Sequence, residues 1–333
     1  MKKEIFGYLP GGEAVEMYLL KSDVASVEII TYGGAIRSFV AYGTSIVGGF
    51  DTLDSYLKDD SHQGALIGRV ANRIALGKFE MDGVTYTLEQ NSDTNCLHGG
   101  SRGFDRHLWK VEEYTDNSIL LSYYSQDGEE GFPNALLVKV RYTLEDATLF
   151  LAYEAIPEGK TPIALTNHSY FNLDGFGGTI REHTAIIYAD KYSEIDEAMI
   201  PVRNVSVKGT IFDFTEPHTI GERIGGEFIG YDHNFVLSTT TTEEVMGHTL
   251  PLVAEVSGKK LKMFVYTDTP GIQFYIGNFL GGGENFSGNI PQVQHGAFCL
   301  EAQTEPNIIN HGECFYEAGE VYRQLTAYRV VEK

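Results

Sequence analysis

The chain has 333 residues, and its 46 acidic against 25 basic side chains give a formal net charge of −21 with histidine neutral. A surface this acidic is repelled by nucleic acid and by anionic membranes, and it suits a neutral or cationic small ligand. With 42% hydrophobic residues the chain fills a sizeable core, which excludes a disordered or purely solvating role.

The first segment, "MKKEIFGYLPGG", has two lysines but no apolar stretch of signal-peptide length, and nothing later approaches the length of a membrane span. A cytoplasmic location is the expectation. "ASVEIITYGG" then reads as a strand, and "TLDSYLKDD" near residue 52 as a short helix. In "GRVANRI" the polar residues Arg69, Asn72 and Arg73 lie between Gly68 and a turn; Arg69 is the better candidate for tying loops together, and an Arg binding ligand hydroxyls would use its planar fork. "TNCLHGG" follows, with His98 before two glycines that allow close backbone or ligand approach.

Further strands are expected in "SILLSYYSQDG" and in "LLVKVRYTLEDATLFLAYEAIP", whose two runs flank a hairpin loop at Glu145-Asp146-Ala147. "ALTNHSYFNLDG", residues 164 to 175, also reads as a strand, with Thr166, His168, Tyr170 and Asn172 on one polar face. A second short helix is expected at "TIGERIGG" near 219. "GYDHNFVL" places Asp232 and His233 before an apolar run, and in "GIQFYIGNF" Gln273 and Tyr275 share one strand face while Ile272, Phe274 and Ile276 share the other. "GGGENFSG" at 281 to 288 has neither the Lys-Ser/Thr of a phosphate loop nor a following helix, so it reads as a turn. In "GAFCLEAQ", Glu301 interrupts a buried strand; a carboxylate there is either paired or pushed toward the pKa range of a general base.

Strand-turn-strand order with few helices, no linker and no fixed repeat defines an all-β fold, a large antiparallel β-sandwich spanning residues 1–333 as one domain. Cys96, Cys299 and Cys314 form no C-x-x-C pair, which argues against a disulfide framework and a zinc site. The signatures of zinc proteases, serine hydrolases and dinucleotide enzymes are missing, so the expected chemistry uses no metal and no cofactor. A carboxylate, imidazoles, an Arg, an Asp, a Gln and abundant aromatics together suit a sugar, whose hydroxyls need directional partners and whose C–H face packs on rings. One carboxylate and one imidazole can open a free aldose ring by acid–base proton transfer and close it as the other anomer.

The motifs "GRVANRI", "LHGG", "NHSYFNL", "YDHNF", "GIQFYIGNFL" and "FCLEAQ", in this order and spacing, resemble the aldose 1-epimerases, also called galactose mutarotases, over almost the whole chain. The resemblance implies a supersandwich with an open sugar cleft, no cofactor, and a free aldose such as D-galactose or D-glucose as substrate. It implies Glu301 as general base, His168 as general acid at the ring oxygen, His98 as a second imidazole there, and Arg73, Asp232 and Gln273 as sugar-binding groups, with Asn72 and Tyr170 beside them. The chain departs from the family pattern after Pro306 and at Ala318, outside the acid–base pair. The expected assembly is a monomer or homodimer. A non-catalytic sugar-binding protein would not require both His168 and Glu301. A glycoside hydrolase would need a second carboxylate facing Glu301, for which Asp232 is the obvious candidate. A phosphosugar epimerase would need a cluster of Arg or Lys that is not evident.

Overall fold

A computed structural model describes residues 2–333. The largest sheet has ten strands, with a path through Lys110–Tyr114, Ser118–Ser125, Leu136–Glu145, Thr148–Pro157, Tyr322–Glu332, Leu261–Thr267 and His248–Ser257. These neighbours pair antiparallel. Period-two alternation sets the faces: Val138, Val140, Tyr142 and Leu144 are buried, while Lys139, Arg141 and Thr143 between them are half-buried. Glu145 pairs directly with Thr148, so the hairpin turn is the two residues Asp146-Ala147, with Asp146 in the left-handed region at φ 48°.

Two five-stranded antiparallel sheets share the core of the large one. The first runs through Lys2–Tyr8, Ala14–Lys21, Ala25–Ile30, Ile36–Ala41 and Thr44–Ser45; the second has the order Pro201–Ser206, Ala189–Ile195, Asp232–Leu237, Gly271–Tyr275 and Cys299–Gln303. Val27 and Phe39, Val140 and Leu151, and Phe235 and Phe274 meet in one apolar cluster, each such side chain contributing about 1.5–3 kcal/mol by burial. Two buried phenols cross between layers: Tyr142 donates to the Gly34 carbonyl at 2.7 Å, and Tyr328 to the Leu300 carbonyl at 3.1 Å. The fold is thus the large antiparallel β-sandwich that the strand pattern predicts.

The helix expected near residue 52 spans Leu53–Lys58; the Thr52 side chain accepts from Ser55 N, and Asp54 and Lys58 sit at the ends that suit the helix dipole. The helix expected near 219 does not form. His218–Thr219 pairs with Thr184-Ala185, and Gly221 N donates to the Arg181 carbonyl at 2.8 Å. With Gly221, Gly225 and Gly226 in eight residues, helix propensity is too weak to compete with that pairing. The strand expected over 164 to 175 is also shorter, because only Thr166–Asn167 pairs as a strand.

Arg69 has the structural role. Its guanidinium donates to the carbonyls of Pro133, Asn134 and Gln126 and to the hydroxyls of Thr161 and Ser125, and the residue is 2% exposed. Burial pushes its pKa down to about 10. Arg69→Met strands these acceptors in the interior, so urea unfolding should show a loss of roughly 3 kcal/mol. An unchanged midpoint would show that water satisfies the same groups.

Candidate active site

The second five-stranded sheet is the floor of a cleft of about 570 Å³. Directly paired residues share a face, and Asp232 pairs with Tyr275 while Gln273 pairs with Glu301. Phe235, Ile272, Phe274 and Leu300 therefore point into the core, and Asp232, Gln273, Tyr275 and Glu301 rise from the other side. Asp232, Tyr275 and Glu301 line the cleft. Gln273 is not among the lining residues; its amide donates to Asp232 Oδ1 at 2.7 Å, and its Oε1 is buried without a partner among the described residues. The two carboxylates rise from the same face of one sheet with a strand between them, whereas a glycoside hydrolase sets its pair on either side of the scissile bond.

Asn72, Arg73 and His98 form a wall of the cleft. A two-pair ladder, Ile74 with Cys96 and Arg73 with Leu97, brings the two motifs together. Asn72 N donates to His98 Nδ1 at 3.1 Å, and His98 N donates to the Asn72 carbonyl at 3.0 Å. Asn72 and His98 both occupy the left-handed region, at φ 60° and 53°. Gly99, at φ 88°, presses on the neighbouring segment so closely that a Cβ would lie 2.1 Å from the Gly68 carbonyl oxygen. This is why a glycine follows the histidine.

His168 comes just after the short strand. Its N–H donates to the Ala65 carbonyl at 2.9 Å, its own carbonyl accepts from Gly64 N at 2.9 Å, and the Asn167 side chain donates to the Gly64 carbonyl at 2.7 Å. The imidazole Nε2 lies 3.7 Å from Glu301 Oε1, Nδ1 lies 3.6 Å from Cys299 Sγ, and the Tyr170 ring is 5.0 Å away. The period-two expectation thus holds for His168 and Tyr170, which both line the cleft, but Asn172 turns away and donates to the Gly296 carbonyl.

Burial dominates the electrostatics. Desolvation, reinforced by Asp232, raises the Glu301 pKa well above the usual carboxylate range, against the opposing pull of Arg73. Desolvation and His62 push His168 down to about 3, and the same causes with His168 itself hold His98 well below 6.5. Burial also raises Asp232, opposed by Arg73 and Gln273. Glu301 Oε2 is buried with no hydrogen-bond partner among the described residues, and is thus an acceptor left for a ligand.

His98, His168 and Glu301 have potential ligand atoms within 4.8 Å of one another. The tautomer of His98 works against a metal. A backbone N–H can only donate, so Nδ1 of the neutral ring is the bare nitrogen and Nε2 carries the hydrogen. A metal-binding histidine needs the opposite arrangement, a bare nitrogen on the metal and an N–H on an outer partner. His98 is set up to donate to an oxygen.

One cleft histidine gave no signal in the sequence. His62 lines the cleft, its ring centroid 4.8 Å from that of His98 and 5.8 Å from that of His168, and its Nδ1 is 2.9 Å from Asp105 Oδ2. In "DDSHQGA" it reads as a surface turn, and Asp105 is 43 residues away. At the rim Phe279 is 68% exposed, an aromatic face open to a ligand.

A buried carboxyl and a neutral imidazole on the polar face of an antiparallel sandwich, walled by hydroxyl-binding groups, define a carbohydrate-directed acid–base site. The family profile described as Aldose 1-epimerase matches residues 16–329. Galactose mutarotase of Rattus norvegicus is 40% identical over 98% of this chain and 97% of its own, and aldose 1-epimerase of Escherichia coli K12 is 37% identical over 84% and 82%. Among solved structures, galactose 1-epimerase of Lactobacillus acidophilus superposes with a TM-score of 0.86 at 24% identity, covering 99% of this chain and 98% of its own, which shows the shared fold. The chain belongs to the aldose 1-epimerase family.

Burial of Glu301 has a consequence for stability. Its folded pKa lies above the unfolded value near 4.3, so its contribution is most favourable below that pH and is lost as pH rises through the folded pKa. Glu301→Gln should therefore be more stable than the wild type at pH 8, by on the order of 1 kcal/mol, with the difference narrowing toward pH 5. Thermal unfolding at the two pH values tests this; a variant less stable at pH 8 would show that the carboxylate is well solvated.

Proposed function

We propose that Glu301 and His168 are the general base and general acid with which this aldose 1-epimerase interconverts the α and β anomers of a free aldohexose. The observation that carries the assignment is their approach, Glu301 Oε1 to His168 Nε2 at 3.7 Å, with both groups buried at the base of the cleft. A ring oxygen and an anomeric hydroxyl are both bonded to C1, so one carboxylate and one imidazole this close can serve the two oxygens together.

Ionised Glu301 takes the proton from O1, and protonated His168 gives its proton to the ring oxygen. The C1–O5 bond breaks, O1 becomes the aldehyde oxygen and O5 a hydroxyl. Rotation about C1–C2 presents the other face of the aldehyde, and the reverse transfers close the ring. The pair starts as carboxylate and imidazolium and ends as carboxylic acid and neutral imidazole, with the same proton count. Burial favours the second state, raising Glu301 and lowering His168, so the site's electrostatics lean toward the ring-opened species. His98, donating from Nε2, stabilises negative charge as it develops on the ring oxygen. Asn72, Arg73 and Asp232 hold ring hydroxyls, Gln273 orients Asp232, and Tyr170 walls the sugar.

D-Galactose is the sugar favoured by the names of the mutarotase relatives, with D-glucose the nearest competitor. One sandwich domain supplies all of this, since the main apolar cluster runs from Tyr18 to Val330. Three free thiols, two of them buried, suit a reducing cytoplasm, and no helix among the described residues is long and apolar enough to cross a membrane.

Polarimetry of freshly dissolved α-D-galactose tests the assignment. The wild type should accelerate mutarotation, and Glu301→Gln and His168→Ala should each lose about 100-fold or more in kcat. Losses of only a few-fold would overturn the roles. The pH profile is a separate test. Activity requires one proton on the pair, and His168 takes a second only near pH 3, so kcat/KM should not fall as pH drops from about 7 to 5. An acid limb near pH 6.5 would mean that His168 titrates like an exposed imidazole.

A further inference from the structure

His62 and Asp105 are unused by the mechanism above, yet they are built into the cleft. Asp105 is 3% exposed in its side chain, and its carboxylate lies 2.9 Å from His62 Nδ1 and 3.1 Å from Arg106 Nε. His62 and Arg106 hold its pKa below the usual value despite burial. An ionised carboxylate only accepts, so His62 Nδ1 donates to it and Nε2 is the ring nitrogen left for the cleft. The backbone is fixed too: His62 sits at φ 58°, its carbonyl accepts from Ala65 N at 3.1 Å, and the preceding turn is held by Asp59, which accepts from Ser61 N at 3.1 Å. A left-handed non-glycine backbone beside a pinned ring is a constraint that a solvent-exposed loop histidine would not need.

The position of His62 around the cleft indicates what Nε2 meets. Glu301, with Asp232 and Arg73 as its electrostatic neighbours, marks the O1 side. His168 and His98 mark the ring oxygen. The His62 ring centroid lies 4.8 Å from that of His98 and 5.8 Å from that of His168, and its carboxylate partner is Asp105 rather than Glu301, which sets it against the imidazoles that mark the ring oxygen. In a pyranose the ring oxygen joins C1 to C5, and C5 carries the exocyclic C6 arm. A second cavity of about 310 Å³ shares Asp60, His62 and Leu97 with the cleft. An arm leaving the ring here has space and meets an imidazole nitrogen.

We propose that His62, oriented by Asp105 as a positioning residue, is a specificity determinant that hydrogen-bonds the C6 hydroxyl of an aldohexose. The proposal rests on the Glu301 and His168 assignment, which orients the ring. It gives the site a preference for hexoses bearing a 6-hydroxyl over 6-deoxyhexoses and pentoses.

The test compares D-galactose with 6-deoxy-D-galactose, which differ in that hydroxyl alone. The wild type should favour galactose by about 3- to 10-fold in kcat/KM, the worth of one hydrogen bond to a hydroxyl. His62→Asn, chosen because Asn accepts a left-handed backbone, should bring this ratio toward one; the loss of the His62 influence on His168 acts on both sugars alike and cancels in the ratio. Asp105→Asn should move the ratio in the same direction, with thermal unfolding as a check on folding. A damaged fold would slow both sugars and leave the ratio intact. A wild-type ratio of one, or a ratio that survives His62→Asn in a variant whose thermal unfolding matches the wild type, overturns the proposal. Failure of the acid–base assignment reads differently, as Glu301→Gln and His168→Ala variants that still turn over both sugars.

Discussion

The site depends on one sheet having two unlike faces. Asp232–Leu237, Gly271–Tyr275 and Cys299–Gln303 are held edge to edge in a register that aligns their alternation, so that one side is the core of the sandwich and the other carries Asp232, Gln273, Tyr275 and Glu301. A one-residue slip in either pairing would exchange the faces, placing a carboxyl in the core and Leu300 or Phe274 in the cleft. Phe274 and Leu300, nearly fully buried, therefore fix the orientation of Glu301 as firmly as any polar contact does. The apolar face specifies the register, and the register places the base.

The opposite wall is built on different terms. His62, Asn72 and His98 all lie in loops with left-handed backbone; Asn72 and His98 are joined by a main-chain hydrogen bond between their segments, and the His62 carbonyl accepts from Ala65 N within its own turn. Sparsely populated backbone conformations of this kind persist only where the surroundings over-determine them. The surroundings are the turn at Gly99 pressed against Gly68, Arg69 tying three loops behind it, and the Gly64-Ala65 segment bonded to both sides of His168. A rigid floor with a base and a strained wall with imidazoles meet at the Glu301–His168 contact.

This division explains how much could be read from sequence. The floor was legible, since strands announce themselves by alternation and a carboxyl inside "FCLEAQ" is anomalous wherever it falls. Arg69 and Arg73, four residues apart, could not be separated by alternation, which puts an even offset on one face; the family resemblance selects Arg73, and the structure buries Arg69 as a tie. The wall was less legible. "ALTNHSYFNLDG" alternates like a strand through Asn172, but its partner segment leaves the ladder after Leu66, so pairing stops at Asn167 while His168 and Tyr170 keep the expected face. Gln273 stands on the expected face, but its hydrogen bond to Asp232 could not be read, because alternation gives the side of a strand and not what stands in front of the side chain. His62 could not be found at all: its function comes from a carboxylate 43 residues away, and local pattern has no access to that distance.

The imidazole wall also has a direction that pattern could not supply. The Asn72 N–H fixes His98 as a donor through Nε2, and the Asp105 carboxylate fixes the proton of His62 on Nδ1. A site of three freely rotating tautomers would bind hydroxyls in several orientations at once and would have to reorganise as charge moves. With two of the three rings set by groups that can only donate or only accept, His168 is the imidazole left to change its protonation, and it is the one that faces Glu301. Preorganisation of this kind lowers the reorganisation needed during ring opening, and it follows from two hydrogen bonds whose polarity is not adjustable.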